Sequence, residues 1–192
     1  MGDRELHAGL PVMAARTAFF FCENVVTMAE AECTATGRSM SRPEIGVYLP
    51  HMGFTYQEVL RRTRRCDELG IESLWLYDHL YAPGMPDLPS LEAWTLATAL
   101  LSNTERIRIG HMVLCNQFRH PVMLAKMATT LDQISGGRLT LGVGSGSLDD
   151  EHRRGGFDWG TFAQRSGRLG ETLEILHQAF DEERITHAGN HF

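Results

Sequence analysis

Residues 121–146 read PVMLAKMATTLDQISGGRLTLGVGSG, and this stretch decides the fold. Pro121 suits the first position of a helix, where its missing N–H leaves no bond unmade. Met123, Met127, Leu131 and Ile134 then recur at helical spacing and predict one apolar face. Gly136 and Gly137 stop the helix, because glycine enters the left-handed conformation that closes helices without steric cost. Leu139, Leu141 and Val143 follow at once in a run short enough to be a buried strand. A helix, a glycine stop and a strand in immediate succession form the joint of an α/β protein.

The same joint recurs on both sides. Ile45, Val47, Tyr48 and Leu49 make a first strand ended by Pro50, and Thr55 stands at an N-cap before a helix through Glu68 that Gly70 closes. Ser73, Leu74, Trp75, Leu76 and Tyr77 make a second strand running into Asp78 and His79, followed by a Pro/Gly loop and a helix from Ser90 to about Leu101. Residues 107–114 are a third strand. Residues 138–144 are the fourth, and a loop through 160 leads to a helix carrying Phe162, Leu169, Leu173, Leu176 and Phe180. Strands that are apolar almost continuously predict a parallel sheet covered on both faces, so the fold class is α/β with about four strand–helix units. An open doubly wound sheet and a (β/α)8 barrel both fit; a barrel takes roughly 250 residues, and four units are half of one.

Residues 1–42 show no clean period of 2 or 3.6 and are expected to form a poorly structured extension before a domain spanning 43–192. Met40 lies just before the first strand and is a plausible translation start. The chain has 192 residues, 43% of them hydrophobic, and a formal net charge of -6 without a basic stripe. A small-molecule substrate is therefore expected rather than nucleic acid. The longest apolar run, 18–22, is broken by Glu23 and is too short to cross a membrane. Cys22, Cys33, Cys66 and Cys115 include no Cys-x-x-Cys pair, which fits a reduced, cytoplasmic protein. The nine histidines show no metal-ligand spacing, so no metal is expected.

In either architecture ligands gather at the carboxyl ends of the strands. The residues there are His51, Asp78-His79, Cys115-Asn116 and the run from Gly144 through Ser145, Gly146 and Ser147. Asp78-His79 is the sharpest pair: an imidazole moves protons near neutral pH and a carboxylate can hold it. The same pair also reads as a local backbone cap beside a surface histidine. Gly142, Gly144 and Gly146 let backbone approach an anion or simply make room for a flat ligand; they match neither Gly-x-Gly-x-x-Gly nor a P-loop. Asp149, Asp150, Glu151, Arg153 and Arg154 read as a solvated charged loop.

Phe118-Arg119-His120-Pro121, the stretch 124–146, Trp75-Leu76-Tyr77-Asp78-His79, and Arg168-Leu169 in the last helix together resemble the luciferase-like monooxygenase family, over residues 44–192. The resemblance implies the N-terminal half of a (β/α)8 barrel whose strand ends bind a flavin-type cofactor: the deazaflavin coenzyme F420, a hydride carrier, or FMN, which activates oxygen. Asp78-His79 points to the deazaflavin branch, with both residues catalytic and cofactor-binding and His79 the proton donor or acceptor. It further implies a non-proline cis peptide near Met112-Val113 against the cofactor ring, and Gly144, Ser145 and Gly146 as cofactor-side residues. Deazaflavin-dependent sugar-phosphate dehydrogenases carry a Glu after Gly-x-Gly-x-Gly and a Trp soon after Asp-His; Ser147 and the Trp-free loop 80–83 depart from that, which disfavours that activity. Residues 186–192 resemble a hairpin midway through the family's barrel. Half a barrel leaves an edge and inner surface open, so a homo-oligomer or a covering partner is expected. A catalytically silent half barrel is the remaining reading.

Overall fold

The computed structural model describes residues 6–7, 44–182 and 184–192. Met40, Cys22, Cys33, the run 18–22 and the rest of the N-terminal segment other than Leu6–His7 lie outside those residues. In chain order the elements are β1 (Leu6–His7), β2 (Gly46–Tyr48), α1 (Tyr56–Glu68), β3 (Ser73–Leu76), α2 (Ala93–Leu101), β4 (Arg108–His111), β5 (Leu114–Cys115), a 3-10 turn (Asn116–Phe118), α3 (Pro121–Ser135), β6 (Leu139–Thr140), β7 (Val143–Gly144), α4 (Asp149–Gly155), α5 (Phe162–Asp181) and β8 (Arg184–Ile185).

Strands β2, β3, β4 and β6 form one parallel sheet in that order, and β5 pairs with β7 in parallel beyond it. A sequential order with a helix in each crossover, and no reversal, is the winding of half a (β/α)8 barrel rather than of a doubly wound sheet. The third and fourth strands expected from the sequence are each split in two, one by the cis Met112–Val113 bond and the other at Leu141-Gly142. β1 pairs antiparallel with β8, joining Leu6 to Ile185.

The helix ends follow their sequence signals. Thr55 and Glu58 form a reciprocal capping box at α1, and Gly136 closes α3 in the left-handed region at φ 65°. α2 starts later than Ser90 because the Glu92 carboxylate caps it, accepting from the Trp94 and Thr95 amides at 3.0 and 2.6 Å. Two apolar faces differ from expectation. On α3, Met123 and Ile134 are exposed, and the buried stripe is Leu124, Ala125, Ala128 and Leu131. The small alanines let the helix approach the sheet closely, so they take the inward side. Phe162 on α5 is likewise exposed, while Leu169 and Leu176 enter the core.

The core lies between the sheet and its helices, where Leu74, Leu76, Ile109, Leu139 and Leu141 meet Leu100, Leu124 and Leu131. On the opposite, inner face of the sheet burial along β3 alternates between buried and half-buried residues, while Ile109, Gly110 and His111 of β4 are buried in succession, as two-sided burial predicts. Trp75 lies on that inner face, and glycines flank it. A Cβ on Gly46 would sit 2.9 Å from its indole nitrogen, and one on Gly110 2.8 Å from its ring. The outer edge of β2 has no strand beside it among the described residues, with Ile45 and Tyr48 exposed and a groove of about 800 Å³ lined by Val47, Leu49, Leu60 and the α1 arginines.

Two polar side chains fasten the sheet to the helices. Arg138 donates to the carbonyls of Leu101 at 2.8 Å and Ser135 at 2.7 Å, satisfying the C-terminal ends of α2 and α3. Asp67, at the end of α1, accepts from the backbone amides of Glu105, Arg106 and Ile107 at 2.9, 3.2 and 2.9 Å and thereby sets the entry into β4. Hydrogen bonds to a charged group contribute about 1.5–3 kcal/mol each way they are measured, and an abandoned buried amide costs further. Asp67→Ala is accordingly expected to lower stability by about 2–4 kcal/mol, with Asp67→Asn losing less, as read from urea denaturation midpoints.

Candidate active site

The carboxyl ends of β3 and β5 converge, with β7 paired beside β5, and a buried ion pair holds β3 to the segment after β5. Asp78 follows β3, and its Oδ2 accepts from the Cys115 backbone N–H at 2.8 Å and from Arg119 Nη1 at 2.6 Å, while Oδ1 accepts from Arg119 Nη2 at 3.2 Å. The Arg119 guanidinium also donates to Glu92 at 2.5 Å. Burial alone would pull the Arg119 charge down; the bonds from Asp78 and the charges of Asp78 and Glu92 outweigh it and raise its pKa. Asp78, read from sequence as a catalytic and cofactor-side carboxylate, thus has both oxygens engaged by the protein itself.

His79 is held by a residue that the sequence reading left in a solvated loop. Its Nδ1 lies 2.9 Å from Glu151 Oε2, and the Leu80 backbone N–H donates to the other oxygen, Oε1. Glu151 is 1% exposed. The segment expected as loop is helix α4 here, and only its outer charges, Asp149 with Arg153 and Asp150 with Arg154, are solvated pairs. Tyr81 donates to Asp150 at 3.0 Å, adding a second tie between the loop after β3 and α4.

His152, next along α4, performs the matching task at the neighbouring strand. Its Nδ1–H donates to the Leu148 carbonyl at 2.7 Å, which leaves Nε2 as an acceptor 3.3 Å from Cys115 Sγ. Burial pushes the Cys115 thiol up to about 12, so sulfur keeps its proton and can donate it to His152 or to the Gln117 oxygen at 3.4 Å. Phe118 and Trp159 pack on the His152 ring with centroids 5.1 and 4.6 Å away. This thiol is a buried polar contact, not an activated nucleophile.

Met112 and Val113 are joined by the cis bond, and Met112 is 42% exposed. β7 runs directly beside them. A Cβ on Gly144 would collide with the Val113 side chain, and Gly146, at φ 83°, leaves room for the Gln117 oxygen. The glycines therefore accommodate protein side chains, a purpose that neither sequence reading of the run contained. Ser145 between them is buried. His79, Asp78, Met112, Val113, Gly144, Ser145 and Gly146 thus belong to one connected patch, linked through Cys115, Gln117, Glu151 and His152. The sequence reading missed Arg119, Glu151 and His152; the available signal was Glu151-His152 as adjacent polar residues inside a segment that also begins a helix.

Several buried polar atoms at these strand ends have no protein partner: Asn116 Oδ1, Gln117 Nε2, His51 Nδ1 and His111 Nδ1. An acceptor and a donor on successive residues suit the polar edge of a flat heterocycle such as a flavin or deazaflavin, so the residues present fit that group at its ring. The phosphate end finds less: Arg119 is already engaged by two carboxylates. Among the described residues no group of three or more His, Cys, Asp or Glu is placed to hold a metal ion, and no helix is long and apolar enough to cross a membrane.

The fold and this patch define a class, the (β/α) barrel proteins that assemble a site from loops after successive strands. A family model described as luciferase-like monooxygenase matches residues 34–192, and the chain belongs to that family. It is 30% identical over 143 residues to an F420-dependent glucose-6-phosphate dehydrogenase of Amycolatopsis mediterranei, covering 72% of this chain and 42% of the relative. Among solved structures it superposes on an F420-dependent secondary alcohol dehydrogenase in complex with an F420-acetone adduct, with a TM-score of 0.71, 23% identity, and coverage of 78% of this chain and 46% of the other. It superposes also on the FMN-bound oxygenating constituent of 3,6-diketocamphane monooxygenase from Pseudomonas putida, with a TM-score of 0.65, 24% identity and coverage of 78% and 43%. The chain spans less than half the length of each of these relatives.

His111 sets a pH limit on the fold. It is fully buried and stacked on Trp94, its Nε2 lies 3.3 Å from the Ala93 carbonyl, and burial lowers its pKa to about 4. The folded ring stays neutral, whereas the unfolded chain gains a proton below its usual value of 6.5. The two states bind equal protons above that pH, so stability is lost as pH falls from 6.5 toward 4, by at most about 3 kcal/mol. Urea midpoints measured across this window are expected to drop in the parent protein and to drop less in His111→Gln.

Proposed function

We propose that this chain supplies the proton-handling half of a luciferase-like oxidoreductase that uses the deazaflavin F420 to move hydride to or from a small organic substrate. The observation that carries this reading is His79: it stands at the carboxyl end of β3, a buried carboxylate holds its Nδ1, and its side chain remains 19% exposed. When bound, the deazaflavin supplies a ring carbon that accepts or gives up hydride. His79 is then the residue that takes or returns the accompanying proton at Nε2. Asp78 contributes by fixing the strand ends through Arg119 and Cys115 rather than by meeting substrate. Met112 and Val113 present the surface on which the ring rests, with Gly144, Ser145 and Gly146 beside it, while Asn116 and Gln117 offer polar atoms to its edge.

The FMN monooxygenase reading has support of its own, because the FMN-bound relative superposes over the same share of this chain as the F420-bound one. The Asp-His pair at the second barrel strand favours F420. The division into an extension, 1–42, and a barrel unit, 43–192, the cytoplasmic location, and a second subunit or partner over the open β2 edge complete this proposal. Ser147 and the absence of Trp from loop 80–83 argue against the sugar-phosphate substrate named for the dehydrogenase relative.

Offering the protein oxidised F420 and FMN separately and desalting is expected to leave F420 bound. Retention of FMN alone would transfer the assignment to the oxygenase branch, and retention of neither would refute cofactor binding by this chain. In the F420-loaded protein, His79→Ala is expected to keep the cofactor while slowing hydride transfer about 10²–10⁴-fold, the usual contribution of a proton-transfer residue.

A further inference from the structure

We infer that Glu151 is the positioning residue of His79, selecting the tautomer in which Nδ1 carries the proton and Nε2 is the free acceptor. The inference rests on the proposed role of His79 and deepens it, by stating which nitrogen does the work and in which direction it is poised. Three observations carry it. One carboxylate engages two consecutive residues, the His79 ring at 2.9 Å through Oε2 and the Leu80 backbone N–H through Oε1. The backbone bond fixes the carboxylate, since an amide N–H can only donate; the other oxygen is thereby aimed at Nδ1. Glu151 is almost wholly excluded from solvent, so water does not compete for either oxygen.

The surroundings limit the ring further. Tyr77 lies beside His79, with centroids 5.4 Å apart, and itself stacks on His51 at 4.0 Å. Tyr77 donates to or accepts from Ser90 at 2.8 Å, so this wall is anchored as well. A neutral histidine has one donor and one acceptor nitrogen, and the bond made by one determines the character of the other. With Nδ1–H given to Glu151, Nε2 is left to accept a proton, and the imidazolium formed is stabilised by the same carboxylate. A carboxylate that holds the base's far nitrogen is the arrangement by which hydrolase triads keep their histidine in the working tautomer.

Glu151→Gln separates this role from simple stapling of α4. The Leu80 N–H still requires an oxygen, so the amide oxygen of Gln takes the Oε1 place and its NH2 faces Nδ1. The staple survives; the ring is forced to accept at Nδ1 and to carry its proton on Nε2. Long-range proton–nitrogen correlation spectra of 15N-labelled protein, in buffer alkaline enough for a neutral ring and with His79 assigned by subtraction of His79→Gln, read the tautomer directly. The expected result is the Nδ1–H form in the parent and inversion to the Nε2–H form in Glu151→Gln. A parent spectrum dominated by Nε2–H, as a protonated Glu151 donating to Nδ1 would produce, overturns the inference. So does an unchanged tautomer in a folded Glu151→Gln protein. If that variant does not fold, the parent spectrum decides alone. None of these readings needs cofactor or substrate, so they stand or fall separately from the assignment of F420.

Discussion

Everything at the strand ends depends on the pairing of Asp78 with Arg119 in a place where water scarcely reaches. A buried carboxylate is tolerated only when its charge is balanced and its oxygens are bonded. Both conditions are met, because Arg119 supplies charge and two N–H groups and the Cys115 amide supplies a third. The pair does more than offset its own desolvation. It fixes the spacing between the end of β3 and the start of the turn after β5, and through Glu92 it reaches the cap of α2. Two strand–helix units, β3 with α2 and β5 with α3, are joined by one guanidinium, a planar donor suited to such bridging.

On that frame α4 acts as a lid beam. Two adjacent residues of a seven-residue helix point to two different strands, Glu151 to the loop after β3 and His152 to Cys115 of β5. Their chemistry differs. The carboxylate bonds two donors, while the imidazole is wedged among aromatic rings and accepts from a thiol that burial keeps protonated. The outer surface of α4 is closed by ion pairs four residues apart, which contribute little individually in solvent. The inward pair therefore determines where this helix sits.

Most of the fold was legible in sequence because its signals are local. Thr55 with Glu58, Pro121, and Gly136 with Gly137 act within a few residues, and the structure places helix ends where they demand. The α/β class followed from the order of elements, which fitted a doubly wound sheet equally well; the half barrel came from the family resemblance and is borne out by the strand order. What failed was of another kind. The inward stripe of α3 went to Ala125 and Ala128 instead of Met123 and Ile134, since close approach to a sheet rewards small residues that hydropathy ranks low. Glu151 looked solvated because its neighbours are, and nothing within ten residues of it records that His79 lies 72 positions away. The strand-end location of Asp78 and His79 could be read; that Asp78 would turn inward to Arg119, 41 residues on, could not.

Those separations have a kinetic meaning. The contacts that define the site join residues 37, 41 and 72 positions apart, whereas the helix caps close over two to four. Each long closure must meet its chain entropy before it is rewarded, so local helices and the first strand pairs form ahead of it. α4 has no docking surface until β3 and β5 already stand side by side. The contacts of this site thus close after the helix caps that flank them, and helix ends and site geometry are set at different stages of folding.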